Sequence, residues 1–177
     1  MGKEKNKSIL FMILFAVVLI AIDQIVKVLA DKLLMDGNFT VIKDFFYMEL
    51  VYNYGAAFGI LKNSRIFFCI LTIILILVLE FIYVRMPMDK EYCILRFDIV
   101  LCIAGAVGNL IDRIKTGYVI DYIAFDFGSY SFPRFNMADI YICVSAAIFF
   151  IAILFYYKDE QLTNLALVLK NKKKDKS

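Results

Sequence analysis

The chain has 177 residues, 62% of them hydrophobic, a formal net charge of +3 and a mean hydropathy of +0.75. A soluble domain is about half apolar, so the excess points to lipid as the solvent, and the length suits a single polytopic membrane domain over 1–177. The absence of histidine excludes a Ser-His triad, a Cys-His pair and a His-ligated zinc.

A membrane span needs roughly 20 mostly apolar residues to cross about 30 Å of hydrocarbon. The first such segment is residues 9–30. Lysines precede it, as in a cleaved signal peptide, but no small-residue cleavage site is evident, so it reads as a retained helix. The stretch 41–52, VIKDFFYMELVY, is rich in β-branched and aromatic residues and predicts one or two short strands. Spans two and three are predicted at 66–84 and 94–114. The aromatic stretch 125–135, punctuated by Gly128 and Pro133, is expected to join the first strands in a small sheet. The fourth span is 139–157, and the chain ends in a lysine-rich tail.

Four spans put both termini on one side. Assigned to the cytoplasm, that side holds 12 of the 20 Lys and Arg residues and the other side 8, a modest bias of the expected sign. Loops 31–65 and 115–138 then face outward. The basic tails read as orientation signals, and no nucleic-acid partner is expected. The four cysteines, Cys69, Cys93, Cys102 and Cys143, form no C-x-x-C and read as small apolar fillers. No metal site and no cofactor are expected.

Polar residues inside apolar spans are costly and usually functional. Asp23 lies about 21 Å along the first helix from Ile9 at 1.5 Å per residue, with Lys27 one turn on; a structural ion pair would also explain them. The third span reads Ala104-Gly105-Ala-Val-Gly108-Asn109-Leu-Ile-Asp112-Arg113. Ala104 and Gly108, four apart, permit close helix packing, and Asn109, Asp112 and Arg113 gather at the end of the span. Asn53-Tyr-Gly55-Ala56-Ala57-Phe58-Gly59 in the first outer loop would serve equally as a turn.

The chemistry is expected at Val119-Ile-Asp121-Tyr122 and Phe135-Asn136-Met-Ala138-Asp139. Asn136 and Asp139 also have the spacing of a helix-capping pair; Asp121, a carboxylate in an apolar string, has no such alternative. The loop between the flanking spans is short enough for the two aspartates to meet. Paired carboxylates cannot both ionise cheaply and titrate together. One then acts as general base on a water while the other, protonated, donates to a peptide carbonyl oxygen. Asp139, in the first turn of a helix where the dipole favours negative charge, is expected to be the base and Asp121 the acid.

These motifs, in order and spaced among four spans, resemble those of lipoprotein signal peptidase, the type II signal peptidase. The matching residues are Asp23-Gln24-x-x-Lys27, Asn53-x-Gly55-Ala56-Ala57-Phe58-Gly59, Gly105-x-x-Gly108-Asn109-x-x-Asp112-Arg113, Val119-x-Asp121-Tyr122 and Phe135-Asn136-x-Ala138-Asp139. One departure is visible: Ala104-Gly105 stands where the family usually has two glycines. The resemblance implies an all-α integral membrane fold, four transmembrane helices carrying a small extracytoplasmic β-platform and a short amphipathic piece. It implies that Asp121 and Asp139 are a catalytic aspartate dyad. Asn53, Asn109, Arg113 and Asn136 would line the substrate site, with Asp23, Lys27 and Asp112 supporting it. The substrate implied is a diacylglyceryl-modified bacterial prolipoprotein, cut just before the lipid-modified cysteine by an aspartic endopeptidase. Membrane lipid is the implied surround, the cyclic peptide globomycin the implied inhibitor, and a monomer in the bacterial cytoplasmic (inner) membrane the implied state. The alternatives from other classes are a small transporter, which would need polar groups near the midplane reachable from both sides, and a non-enzymatic lipid-binding scaffold, which leaves the converging carboxylates unexplained.

Overall fold

The computed structural model describes residues 2–55 and 64–170, with side chains from Asn6 to Gly55 and from Ser64 to Leu169. The motif residues Ala56, Ala57, Phe58 and Gly59 and the lysines at 172–176 lie outside the described residues.

Four helices are long and apolar enough to cross a membrane: Asn6–Leu33, Arg65–Arg85, Lys90–Lys115 and Met137–Tyr156. They match the expected spans to within a few residues at each end. In full, α1 is Gly2–Leu33, α2 is Arg65–Arg85 and α3 is Cys93–Lys115, entered through a 3-10 turn at Lys90–Tyr92. Next, α4 is Met137–Ile151, prolonged by a π turn over Ala152–Tyr156, and α5 is Asp159–Lys170. The last lies outside the four expected spans.

The helices differ in what surrounds them. In α2, a mostly apolar stretch dominated by Ile, Leu, Phe and Val, no residue is fully buried within the protein, so most of its surface is left to lipid while one side packs on α3. By contrast α3 buries residues along its length, among them Ala104, Gly105, Gly108, Asn109 and Asp112, and touches α1, α2 and α4. Helices in lipid gain nothing by hiding apolar side chains from one another, so small residues and polar contacts decide which faces meet. Close approach falls at Gly108, a member of the expected Ala104–Gly108 pair, and also at Gly105, which was not part of that pair. A Cβ on Gly105 would lie 2.5 Å from the Ala138 carbonyl oxygen of α4, and one on Gly108 would lie 2.5 Å from Asp23 Oδ2 of α1. Ala104 is fully buried.

At one end of the helices sits a four-stranded antiparallel sheet in the order β1-β2-β3-β4. The strands are β1 (Phe39–Ile42), β2 (Phe46–Asn53), β3 (Val119–Phe127) and β4 (Tyr130–Ser131). The β1–β2 turn holds Asp44 at φ 57°, and Gly128 takes φ 64° between β3 and β4, a left-handed backbone that glycine adopts without a Cβ clash. The strand β3 begins six residues before the aromatic stretch from which the sheet was predicted, so Asp121 stands on a strand. Against β2 it pairs Met48 with Ile123 and Val51 with Asp121, and a bulge falls between the two pairs. One face of β3, through Ile120 and Tyr122, packs on Ala30 and Leu34 at the end of α1. Alternation along the strand turns Asp121 to the opposite face. At the far end of the bundle Met86, Tyr92, Leu95, Ile99, Ala152 and Tyr157 form a second core, against which Leu162 and Leu165 of α5 rest.

Candidate active site

Asp121 and Asp139 arrive on different elements and are tied by one residue between them. Asn136 donates from Nδ2 to Asp121 Oδ1 at 2.7 Å, and from its backbone N–H to Asp139 Oδ2 at 3.1 Å. The Asn136 Oδ1 accepts in turn from the Asp139 backbone N–H at 3.1 Å, which completes the reciprocal capping box at the start of α4. The cap and the bridge between the two carboxylates are therefore one structure. The sequence had offered them as alternatives.

The other acceptor positions of the two carboxylates are also used. Asn53, the last residue of β2, donates from Nδ2 to Asp121 Oδ2 at 2.9 Å, and its Oδ1 accepts from the Gly55 N–H at 3.0 Å in an Asx turn that fixes the amide. Asn109 of α3 donates from Nδ2 to Asp139 Oδ1 at 2.7 Å. Its Oδ1 accepts from Asn136 at 3.2 Å and from Lys27 Nζ at 2.9 Å.

Behind these groups lies an ionic cluster. Lys27 Nζ stands 2.9 Å from Asp23 Oδ2 and 2.8 Å from Asp112 Oδ2, with the three residues 1%, 0% and 5% exposed. Gln24 donates to the Gly108 carbonyl at 3.2 Å and to Asp112 Oδ1 at 2.9 Å. Asp23 Oδ1 accepts from the Ala138 N–H at 3.0 Å, and the second Asp112 oxygen accepts from the Ile120 N–H at 3.4 Å. A buried charge is tolerated when paired and fully hydrogen-bonded, and this cluster meets that requirement while holding α1, α3, β3 and α4 in one register.

A cleft of about 280 Å³ opens over the pair, lined in part by Asn53, Asn109, Arg113, Asp121 and Asp139. Asp23, Lys27, Asp112 and Asn136 do not line it; they lie beneath, orienting those that do. Arg113 donates to the Asn109 carbonyl at 3.3 Å, and its guanidinium sits 5.3 Å from the centre of the Phe68 ring. Three contributors were not singled out from the sequence. Gln24 was quoted only as part of a motif. The Tyr122 hydroxyl accepts from the Met137 N–H at 3.2 Å. Arg134, with Phe132, Pro133 and Phe135, forms a wall of the cleft. A lone arginine in an aromatic loop offered no spacing by which to find it.

Asp121 is 2% exposed, and burial pushes its carboxyl up to about 7. The hydrogen bond from Asn53 opposes that rise, the charge of Asp139 adds to it, and the Asn136 hydrogen bond opposes it. A carboxyl so placed can hold a proton at neutral pH and donate it. Among the described residues no group of three or more His, Cys, Asp or Glu side chains is arranged to hold a metal ion.

The profile of the family described as "Signal peptidase (SPase) II" matches residues 15–155. The "Lipoprotein signal peptidase" of Caldanaerobacter subterraneus subsp. tengcongensis is 42% identical over 139 residues, covering 75% of this chain and 91% of that protein. That of Clostridium tetani is 39% identical over 145 residues, covering 80% and 91%. A solved structure titled "Bacterial membrane enzyme structure by the in meso method at 2.3 A resolution" superposes with a TM-score of 0.71 at 33% identity, covering 94% of this chain and 93% of that one. A second, at 1.9 Å, gives 0.70 at 36% identity, covering 83% and 94%. With its motifs, its fold and most of its length accounted for in this way, the chain belongs to the signal peptidase II family.

Proposed function

We propose that Asp121 and Asp139 are the catalytic pair with which this membrane-embedded signal peptidase hydrolyses the signal peptide bond of a prolipoprotein. Asp139, at the first turn of α4, takes a proton from a water that attacks the scissile carbonyl carbon. Asp121, protonated, donates to the carbonyl oxygen as the tetrahedral intermediate forms. Breakdown of that intermediate breaks the C–N bond: Asp139 passes the proton it took from water to the leaving amine nitrogen and Asp121 takes back a proton from a hydroxyl of the intermediate, so both carboxyl groups return to their starting states. Asn136 and Asn109 keep both carboxyl groups oriented through the cycle, so little reorganisation is needed at the moment of reaction. Arg113 and Asn53, at the cleft wall, offer donors to the substrate backbone.

The observation that carries this reading is the bridging by Asn136, which touches Asp121 with its side chain and Asp139 with its main chain. Two carboxylates held about one buried amide, under a cleft at the sheet end of the spans, are arranged for acid–base work on a peptide lying at the membrane boundary. That depth suits a lipid-anchored substrate, and a prolipoprotein whose cysteine already carries a diacylglyceryl group would present its bond there, just before that cysteine. The Lys and Arg distribution supports cytoplasmic termini and an outward-facing cleft in the bacterial inner membrane. Membership of the signal peptidase II family is what suggests globomycin as a competitive occupant of the cleft and a monomer as the working unit. Neither alternative class accounts for the bridging: a transporter needs its polar groups near the midplane, and a scaffold needs no carboxyl pair.

A gel-shift cleavage assay on a diacylated prolipoprotein tests the proposal. Asp121→Asn and Asp139→Asn should each lose nearly all activity, at least about a thousandfold on the scale of removing an acid–base group, while still inserting in the membrane. Substantial cleavage by either variant would overturn the assignment.

A further inference from the structure

One ion cluster is not absorbed by the chemistry above. Arg134 lies two residues before Asn136 on the segment that delivers Asn136 and Asp139 to the site. Its Nε and Nη2 donate to the same Glu49 oxygen, Oε2, at 2.8 and 2.5 Å. Its Nη1 donates to Asp126 Oδ1 at 3.3 Å and to the Phe132 carbonyl at 3.2 Å. Glu49 belongs to β2 and falls within the bulge between Met48 and Val51, and Asp126 belongs to β3. The guanidinium thus bridges two strands and the loop that leads to α4. Forked contacts of this kind fix a direction as well as an attraction.

The same segment is laid onto β3 through its backbone. Phe135 exchanges hydrogen bonds with Ile123, N–H to carbonyl at 3.1 and 2.9 Å, and the Phe132 N–H reaches the Phe125 carbonyl at 2.9 Å. The Phe135 ring stacks on Phe125 at 6.0 Å and meets Phe132 edge-on at 5.9 Å. Phe132, Pro133, Arg134 and Phe135 together form one wall of the cleft over the aspartates. Arg134 is therefore both part of that wall and the side chain that anchors it.

We propose that Arg134 is a positioning residue for substrate binding: clamped by Glu49 and Asp126, it holds the 132–135 wall at the spacing that receives the extended peptide around the scissile bond. The wall bears on the substrate in ground state and transition state alike, so the clamp contributes uniform binding and leaves the acid–base step alone. This rests on the peptidase reading given above. Its signature is a split in the kinetic constants that a role in folding or in the dyad would not produce.

The test measures steady-state cleavage of a diacylated prolipoprotein by the full-length enzyme in detergent micelles. The variants are Arg134→Gln, Glu49→Gln, their double substitution, and Asp126→Asn as the milder change. Cleavage by the wild type in the same assay establishes the peptidase reading independently. The clamp predicts that Arg134→Gln and Glu49→Gln each raise KM by roughly tenfold with kcat within about twofold. The double variant should be no worse than either single one, the coupling expected of partners in one contact. Asp126→Asn should raise KM by a smaller factor, and it carries the test if Arg134→Gln does not fold. Unchanged KM in these variants, a fall in kcat at constant KM, or single effects that simply multiply in the double variant would each overturn the clamp while leaving the peptidase reading standing.

Discussion

The residues that matter most here are polar side chains placed where an apolar one would be cheaper. Lys27 is the clearest case. It is buried, it faces two buried carboxylates, and its third contact is Asn109 Oδ1, which accounts for the three N–H donors of an ammonium group. Removing that charge strands Asp23 and Asp112 in a low-dielectric interior, whereas removing Asp139 leaves no opposite charge unpaired beneath it. Lys27→Met should therefore cost about 3–5 kcal/mol of stability, read as a lowered unfolding midpoint in detergent, with Asp139→Asn close to wild type in the same measurement. Equal midpoints for Lys27→Met and wild type would contradict the structural role of the cluster. Both of these residues were legible in the sequence because an ionisable group inside an apolar run stands out. Tyr122 and Arg134 were not, because a tyrosine or arginine among aromatic neighbours at a membrane surface is unremarkable until its partners are in place. The division between residues that line the cleft and residues that lie beneath it was also hidden, since it depends on which side of β3 and α3 each one occupies.

At the level of elements, the spans could be read from hydropathy alone and the packing between them could not. The sequence carries several small residues in α3, and a four-residue spacing pointed to Ala104 and Gly108. The helix presents Gly105 to α4 and Gly108 to α1, because these two neighbours lie against different faces of α3. The consequence is specific. A methyl group on Gly108 would meet the Asp23 carboxylate, and one on Gly105 would meet the Ala138 carbonyl and the Ile142 side chain. Gly105→Ala and Gly108→Ala should each destabilise the protein by about 1–3 kcal/mol, the usual cost of overpacking. Ala104→Gly, which restores the family's glycine pair, should change stability by no more than about 1 kcal/mol, the propensity cost of glycine in a helix. Thermal unfolding in detergent separates these outcomes; a Gly108→Ala variant as stable as wild type would show that α1 and α3 are not in the contact described. The sheet was only partly legible. Its aromatic and β-branched content was evident, but the order of strands and the bulge in β2 come from pairing over long separations, and α5 lay in a stretch whose charges drew more notice than its leucines.

The whole molecule brings these parts to one place. Strand β3 leaves α3, crosses beneath the cleft and returns through the 128–136 segment to cap α4, so Asp121 and Asp139 approach although 18 positions apart in the chain. The lysine network on the α1 side and the arginine clamp on the sheet side hold that return path from opposite directions. Acid–base work by the pair requires the two carboxyl groups to sense each other. The most direct test is a titration of Asp121 followed by carbon-13 NMR of carboxyl-labelled aspartate, in wild type and in Asp139→Asn. In the wild type Asp121 should titrate near pH 7, held up by burial and further by the charge of Asp139. Removing that charge removes a contribution that raises the value, so in Asp139→Asn the midpoint should move to lower pH. An Asp121 midpoint in the ordinary carboxylate range in the wild type, or one that does not respond to Asp139→Asn, would contradict a shared-proton pair.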